Sequence, residues 1–288
     1  MDSQNELNKP CAVCGETQTG SFKIWFDGYL KLYKCLKCGF VSQFPGPGNF
    51  SIIDDYSDMY SLDFLKQGQE FMYPDRRSIF QDTLNRILTI KKAGAILDIG
   101  CGDGQFLYLC SKMGFNCFGV EDSKMLSSYA SQKSGANVIL GRYSKEMFAA
   151  ESFDVISLIQ VLEHIPNPIV ALETAYYHLH RDGILVIEIP SINSPEFLAY
   201  RITGIKKIVS NHRAVISCHF GYYSPKALMH LTRNCGFEKI SLVTGRWRFK
   251  YNFFKQLGKL IDPILNVSRI GGILYIGTKK IDISTNEK

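Results

Sequence analysis

Residues 95–107 read AILDIGCGDGQFL. A short apolar run (Ile96, Leu97, Ile99) ends at three glycines, Gly100, Gly102 and Gly104, and an apolar segment of helical character follows. That order predicts a buried strand, a tight turn and the first turn of a helix. Glycines let the backbone approach a ligand closely, and the free N–H groups at a helix start suit polar or anionic groups. About twenty residues further on, a second apolar run, Cys117-Phe118-Gly119-Val120, ends at Glu121. An acid at that place accepts hydrogen bonds from the two hydroxyls of a ribose. The two segments predict neighbouring strands with an adenosine-containing ligand across their carboxyl ends.

The glycine spacing separates the possible ligands. A dinucleotide-binding turn needs a third Gly or Ala where the helix packs on the strand, and that place is Gln105. An NAD-linked dehydrogenase is disfavoured on this count. The glycines run G-x-G-x-G, with Asp98 just before them. Asp98, Gly100, Cys101, Gly102 and Gly104 together resemble the first motif of class I S-adenosylmethionine-dependent methyltransferases, an apolar strand followed by D-x-G-C-G-x-G. The resemblance implies a loop that wraps the methionine end of the cofactor and Glu121 holding its ribose.

Composition bounds the class. The chain has 288 residues, 45% apolar and 12% aromatic, enough for one medium domain with an appendage and a real core. Its apolar runs fall short of the roughly 18 residues that a membrane span needs. The polar start, Met1-Asp2-Ser3-Gln4-Asn5-Glu6, lacks the pattern of a secretory signal. The net charge of +6 and pI near 8.7 come from scattered charges. A cytoplasmic protein is the expectation, in preference to a nucleic-acid binder.

Nine cysteines divide unevenly. Cys11, Cys14, Cys35 and Cys38 form two C-x-x-C pairs, each followed closely by a glycine (Gly15, Gly39). That spacing predicts a four-thiolate zinc ribbon, with disulfides or a redox role as the other readings. Four thiolates leave no open position on the ion, so the Zn2+ is expected to be structural. So short a segment buries little apolar surface alone, which makes the metal its expected source of folding energy. The remaining cysteines are scattered, as small buried apolar residues are.

The order of segments sets the domains: 1–48 a zinc ribbon, 49–93 a linker and helical cap, and 94–282 the cofactor domain, with 190–224 a substrate-facing insertion. Residues 44–49, FPGPGN, read as a linker. Arg77 to Lys91 carries apolar residues at helical spacing. By resemblance to methyltransferases with an N-terminal zinc ribbon, Tyr56 and Tyr60 line the cofactor pocket; packing on the core is the other reading. From Gly94 strands and helices alternate, the pattern of a parallel sheet. Strands are expected at Ile96–Ile99, Asn116–Val120, Asn137–Leu140, Phe153–Leu158, Gly183–Ile189, Glu238–Val243 and Ile273–Ile276, with a helix from Pro225 to Asn234. The expected fold is thus α/β, with a seven-stranded Rossmann-like methyltransferase sheet and a small N-terminal zinc ribbon.

Residues 152–168, SFDVISLIQVLEHIPNP, resemble the fourth strand and following loop of the same family. The resemblance implies Gln160 beside the methionine end of the cofactor, and Glu163 and His164 where cofactor and substrate meet. After the third strand, many relatives carry an acid near the adenine. Here Arg142-Tyr143-Ser144-Lys145 stands instead, and Ser144 is the expected partner of the adenine edge.

Residues 190–224 contain His212, Arg213, His219, Tyr222 and Tyr223, at the usual place for substrate-facing groups. The stretch CHFGYYSPKALMHLTRNCGF is most similar to zinc-ribbon methyltransferases acting on nucleotide sugars and surface polysaccharide precursors. Sugar C-methyltransferases of that group carry a Tyr-His-Glu-His cluster. Here Ser217-Cys218-His219 lacks one histidine and its acid, which favours O-methylation over carbanion chemistry on a keto sugar. A hydroxyl must lose its proton as it attacks the methyl group, and a neutral histidine can take it. His219 is the first expectation for that base and His164 the second; an ordering role in the loop is the alternative for each. Residues 246–255 mix cations with aromatics and suit an acidic substrate or a membrane surface, with an amphipathic helix expected at 253–265. The acceptor is expected to be a small molecule or glycan. An RNA methyltransferase and a cofactor-binding scaffold without turnover are the rival functions.

Overall fold

β4 (Ala95–Ile99) is the axis of the molecule, because neighbours pair with it in parallel on both sides: β5 (Asn116–Glu121) and β7 (Phe153–Ile159). The computed structural model describes residues 10–17, 19–23, 31–44, 63–66, 68–192, 219–244 and 272–279. Tyr56, Tyr60, His212, Arg213, Ser217, Cys218, residues 45–49 of the expected linker and everything expected of 246–265 lie outside them.

Further out, β6 (Asn137–Leu140) pairs with β5, and β8 (Leu179–Ile189) with β7, again in parallel. β11 (Ile273–Lys279) then runs antiparallel to β8, and β10 (Phe237–Thr244) antiparallel to β11. The seven-stranded order is β10-β11-β8-β7-β4-β5-β6, as expected from the sequence. The expected strand at Gly183 begins earlier, at Leu179, because Phe153 pairs with Leu179 before the register shifts.

Strand alternation sorts the core into two layers. Ile96, Val155, Val186 and Leu274 face one side, packed with Leu84 and Ile87 of α2 (Arg77–Leu88) and Phe106, Leu107 and Cys110 of α3 (Gln105–Lys112). Leu97, Ile156, Leu158, Leu185 and Ile187 face the other. There they meet Leu172 and Ala175 of α5 (Pro168–His178) and Leu228 and Leu231 of α6 (Pro225–Asn234). A short α1 spans Asp63–Lys66. Burying each Val, Leu, Ile or Phe side chain of the two layers stabilises the fold by roughly 1.5–3 kcal/mol.

Local chemistry fixes the helix starts. Ser123 accepts from the Leu126 N–H at 3.4 Å to open α4 (Lys124–Ser134), and Gly135 closes it in the left-handed region. Asn167-Pro168 and Ser224-Pro225 open α5 and α6 in the same way, each with a capping side chain followed by proline.

A second sheet holds the N-terminal knuckles: β1 (Thr19–Lys23), β2 (Lys31–Cys35), β3 (Val41–Phe44) and β9 (Gly221–Tyr222), in that order. Its fourth strand comes from much later in the chain, just before α6. Cys11, Val13, Cys35, Cys38 and Phe40 share one buried cluster with Leu162, Ile189 and Tyr223 of the main domain. Among the described residues no helix is long and apolar enough to cross a membrane.

Candidate functional site

A cavity of about 830 Å³ opens at the carboxyl ends of β4, β5 and β7, where open α/β sheets bind ligands. Its wall includes Asp98, Gly100, Cys101, Gly102, Glu121, Ser144, Gln160 and His164. The topology explains why segments so distant in sequence meet there. Parallel neighbours end on the same edge, so each strand delivers its last residues to one cleft.

The glycine loop is pinned from β5. The Gly100 N–H donates to the Val120 carbonyl at 2.8 Å, and the Gly102 N–H to Glu121 Oε2 at 2.8 Å. The Ser123 N–H donates to Glu121 Oε1 at 3.0 Å. Gly104 is not on the cavity wall; it supports the site from behind. It caps α3 at φ 76°, and a Cβ there would come within 2.8 Å of the Ala130 backbone, so helix α4 packs where only glycine fits. At Gly102, by contrast, a Cβ would meet nothing within 4 Å. Open space beside a backbone turn is the cradle a cofactor tail needs.

Burial sets the electrostatics. Asp98, 3% exposed, accepts from Ser157 Oγ at 2.6 Å, yet desolvation pushes its carboxyl up to about 7. Desolvation likewise takes Glu121 to about 7, against the two backbone N–H bonds that favour its charged form. Burial raises the Cys101 thiol well above its ordinary range, so it is an inert wall residue. Gln160 sits at the end of β7 with φ 60°, its N–H bonded to the Glu188 carbonyl at 2.7 Å. A non-glycine residue in that conformation marks a site where strain is held by its surroundings.

The two histidines take different places. His164, in the 3-10 turn Leu162–His164, lines the cavity. His219, only 4% exposed, is not among the lining residues and stands behind it, ring to ring at 4.6 Å and 82°. Its Nδ1 has no hydrogen-bond partner among the described residues, and burial depresses it to about 3, so it is neutral. Glu163, 1% exposed, is pushed by burial up to about 8, and its Oε2 likewise has no hydrogen-bond partner among the described residues. One ligating atom from each of Glu163, His164 and His219 falls within 4.8 Å of the others.

The wall also contains residues not singled out from the sequence. Asp103 accepts from the Met72 N–H at 2.6 Å and so ties the segment before α2 to the glycine loop. Arg76 lines the cavity and lies close enough to Asp103 and Glu163 to favour their charged forms. Tyr143 lines it too, its hydroxyl 2.7 Å from Nδ1 of the fully buried His178. His178 Nε2 lies 3.1 Å from two carbonyls, Lys145 and Phe148, so Nε2 carries the proton and Nδ1 accepts from Tyr143. Asp103 was visible as an acid inside the glycine loop. The Tyr143–His178 pair, 35 residues apart, left no local signal.

The cysteines form a second centre. Cys11 Sγ and Cys38 Sγ are 3.6 Å apart, as are Cys14 Sγ and Cys35 Sγ, and all four sulfurs lie within 4.8 Å of one another. A disulfide brings sulfurs to about 2 Å, whereas tetrahedral thiolates on zinc sit roughly 3.7 Å apart for a Zn–S bond of about 2.3 Å. The donor set and spacing fit zinc. Within the cluster, hydrogen bonding lowers the Cys11 thiol to about 5 and raises Cys38. Gly15 and Gly39 close the two knuckles through N–H bonds to the Cys11 and Cys35 carbonyls, and the Phe40 N–H donates to Cys38 Sγ at 3.4 Å.

Comparison with known proteins agrees with this architecture. The profile of a family described as "Methyltransferase domain" matches residues 72–242. The ubiquinone biosynthesis O-methyltransferase of Actinobacillus pleuropneumoniae serotype 7 is 30% identical over 100 residues, covering 31% of this chain and 43% of that protein. Its counterpart in Glaesserella parasuis is 27% identical over 124 residues, 40% of this chain and 51% of that protein. The chain thus spans about half the length of these curated relatives. Among solved structures, a SAM-dependent methyltransferase from Thermotoga maritima superposes with a TM-score of 0.54 at 22% identity, covering 80% of this chain and 99% of that one. One from Archaeoglobus fulgidus gives 0.51 at 19% identity over 70% and 94%. These two likenesses are of fold. The matched profile spans more than half of the 288 residues, and its bounds enclose the glycine loop, Glu121 and the Leu162–His164 turn: this chain belongs to the methyltransferase-domain family.

Proposed function

We propose that this chain transfers a methyl group from S-adenosylmethionine to a hydroxyl oxygen, on a sugar of a nucleotide-sugar or surface-glycan precursor, and that its four cysteines hold a structural Zn2+. One observation carries the reading of the reaction. A single cavity is lined by the glycine loop, by Glu121 and by a histidine, His164, suited to take a proton. The donor set and sulfur spacing support the zinc.

S-adenosylmethionine, when bound, supplies an electrophilic methyl on a sulfonium. The chain's own residues orient and deprotonate. Each Glu121 oxygen already accepts one backbone N–H and keeps a lone pair for a ribose hydroxyl. The open backbone at Gly102 and the carboxyl of Asp98 suit the amino-acid end, and Ser144 the adenine edge. Holding two ligands in register supplies most of the acceleration. A base adds a factor of roughly 10²–10⁴. His164 takes the acceptor's proton in this reading, a change from the sequence-based preference for His219, because His164 is the one on the wall. The neutral His219 behind it adds no positive charge against the imidazolium that forms.

A phenolic hydroxyl is the second acceptor class. It is favoured by the relatives named ubiquinone biosynthesis O-methyltransferase and by the apolar wall of Phe80, Val161, Ile165 and Pro166. The test begins with calorimetric titration of S-adenosylmethionine and its demethylated product into metal-loaded wild type and Glu121→Ala. Micromolar binding, weakened about 100-fold in the variant by the loss of charged hydrogen bonds, is expected. Labelled-methyl transfer to nucleotide sugars and to phenols then separates the two acceptor classes. Absence of binding by folded wild type would overturn the reading.

A further inference from the structure

The cysteine knuckles and the cavity wall share a strand pair. Two residues after Cys38, Phe40 leads into β3, whose Val41 and Ser42 pair with Tyr222 and Gly221 of β9. The Phe40 N–H is held by the Cys38 sulfur, and the Phe40 ring lies 4.9 Å from the ring of Tyr223. A Cβ on Gly221 would meet that Phe40 ring at 2.7 Å. So the residue whose backbone rests on a cluster sulfur is also the one whose ring seats β9.

On its other side β9 reaches the wall. The Phe220 N–H donates to the Glu163 carbonyl at 2.8 Å, inside the turn that ends at His164. His219 stacks edge to face on His164, and Tyr222 packs on His219 with ring centres 5.6 Å apart. Tyr223 bridges to Ser191, and its carbonyl accepts from the Ile192 N–H at 3.1 Å, just past the end of β8. The glycine loop, by comparison, is bonded to Val120 and Glu121 of β5.

We propose that the ribbon is a metal-dependent positioning element for the acceptor side of the cavity. With the four cysteines coordinated, Phe40 and β3 hold β9, and β9 holds Phe220, His219 and through them the His164 turn. Without the metal, β9 loses its partner strand and the wall loosens, while the cofactor side keeps its own bonds. The inference rests on methyl transfer taking place in this cavity.

Hydrogen exchange, product binding and turnover test it on the full chain, in zinc-loaded wild type, chelator-stripped wild type and Gly221→Val. Stripping and the substitution are each expected to speed amide exchange at residues 219–224 by about tenfold or more. Affinity for S-adenosylhomocysteine is expected to stay within about threefold and turnover to fall about tenfold or more. Gly221→Ala, a smaller intrusion on the Phe40 ring, replaces the valine variant should that one fail to fold. Unchanged exchange at 219–224 after the loss of zinc is verified by metal analysis would overturn the proposal and leave the ribbon a passive appendage. Equal loss of product binding would also overturn it, since the effect is then global. Failure of loaded wild type to bind S-adenosylhomocysteine would sink the methyltransferase reading instead, and the exchange arm would still judge the coupling.

Discussion

The two halves of the cavity are held by different kinds of contact. On the cofactor side, β4, β5 and α3 lie within a stretch of about thirty residues, and the decisive bonds join Gly100 and Gly102 to Val120 and Glu121. On the proposed acceptor side, Val41 pairs with Tyr222 and Ser42 with Gly221, bringing the N-terminal knuckles against a strand of two residues much later in the chain. The first half is a βαβ unit that folds from local pattern. The second exists only when distant segments close on one another, and closing long loops has an entropic cost that a metal cluster helps to offset. If the proposed division of the cavity holds, the cofactor side rests on contacts close in sequence and the acceptor wall on contacts that join distant segments.

The largest test of that contrast lies on the acceptor side. His164→Ala is expected to lower kcat by roughly 10²–10⁴, the contribution of a general base, with S-adenosylhomocysteine affinity nearly unchanged. His219→Ala, one layer back, is expected to cost less, about tenfold. Steady-state kinetics on both variants decide the order. A His219 effect larger than that of His164 would restore the base to His219 and break the division of wall from support.

The next concerns buried charge on the cofactor side. The Asp98 carboxyl is raised from 3.8 to about 7 by burial. Between about pH 4 and pH 7 the folded chain keeps a proton there that the unfolded chain has lost. The stability this confers is full below the unfolded value and is lost as pH rises through 7. Asp98→Asn keeps an oxygen for Ser157 and carries no charge. In the cofactor-free protein it is expected to be more stable than wild type at pH 8, by on the order of 3 kcal/mol, and to show a flatter pH profile. Urea unfolding of both proteins at pH 5 and pH 8 checks this, and parallel pH profiles would refute it.

The smallest effect is expected at the far edge of the cofactor side. Tyr143→Phe removes the hydroxyl bonded to His178 and leaves a buried imidazole nitrogen without its donor. The lost bond is expected to cost about 1 kcal/mol of folding stability in urea unfolding, and through the loosened loop to raise the KM for S-adenosylmethionine by no more than about fivefold with kcat nearly constant. An equal fall in kcat would mean that this loop shapes the acceptor wall as well.

Much of the cofactor half was legible before any fold was known. Ile96, Leu97 and Ile99 announced a buried strand, and the place of Glu121 announced its neighbour. The strands of the seven-stranded sheet were read to within one or two residues, apart from the early start of β8 and the longer run of β11, which extend because their pairing continues; those of the four-stranded sheet were not read. Asp98, Cys101, Glu121, Ser144 and Gln160 all reach one cavity. Gly104 does not reach it, because its lack of a Cβ serves the packing of α3 on α4. The ranking of His219 over His164 could not come from residue order, since only burial shows which ring faces the cavity.

By itself the sequence determined those features that depend on neighbours along the chain: strand and helix periods, the glycine turn, the cysteine knuckles and the caps at Ser123, Asn167 and Ser224. Tertiary structure alone decided the pairing of β3 with β9, the Tyr143–His178 bond, the tie of Met72 to Asp103 and the layering of the two histidines. The physical reason is range. A turn or a cap is settled by dihedral preference and hydrogen bonds within a few residues, whereas these contacts join segments whose meeting is paid for by the packing of the whole core.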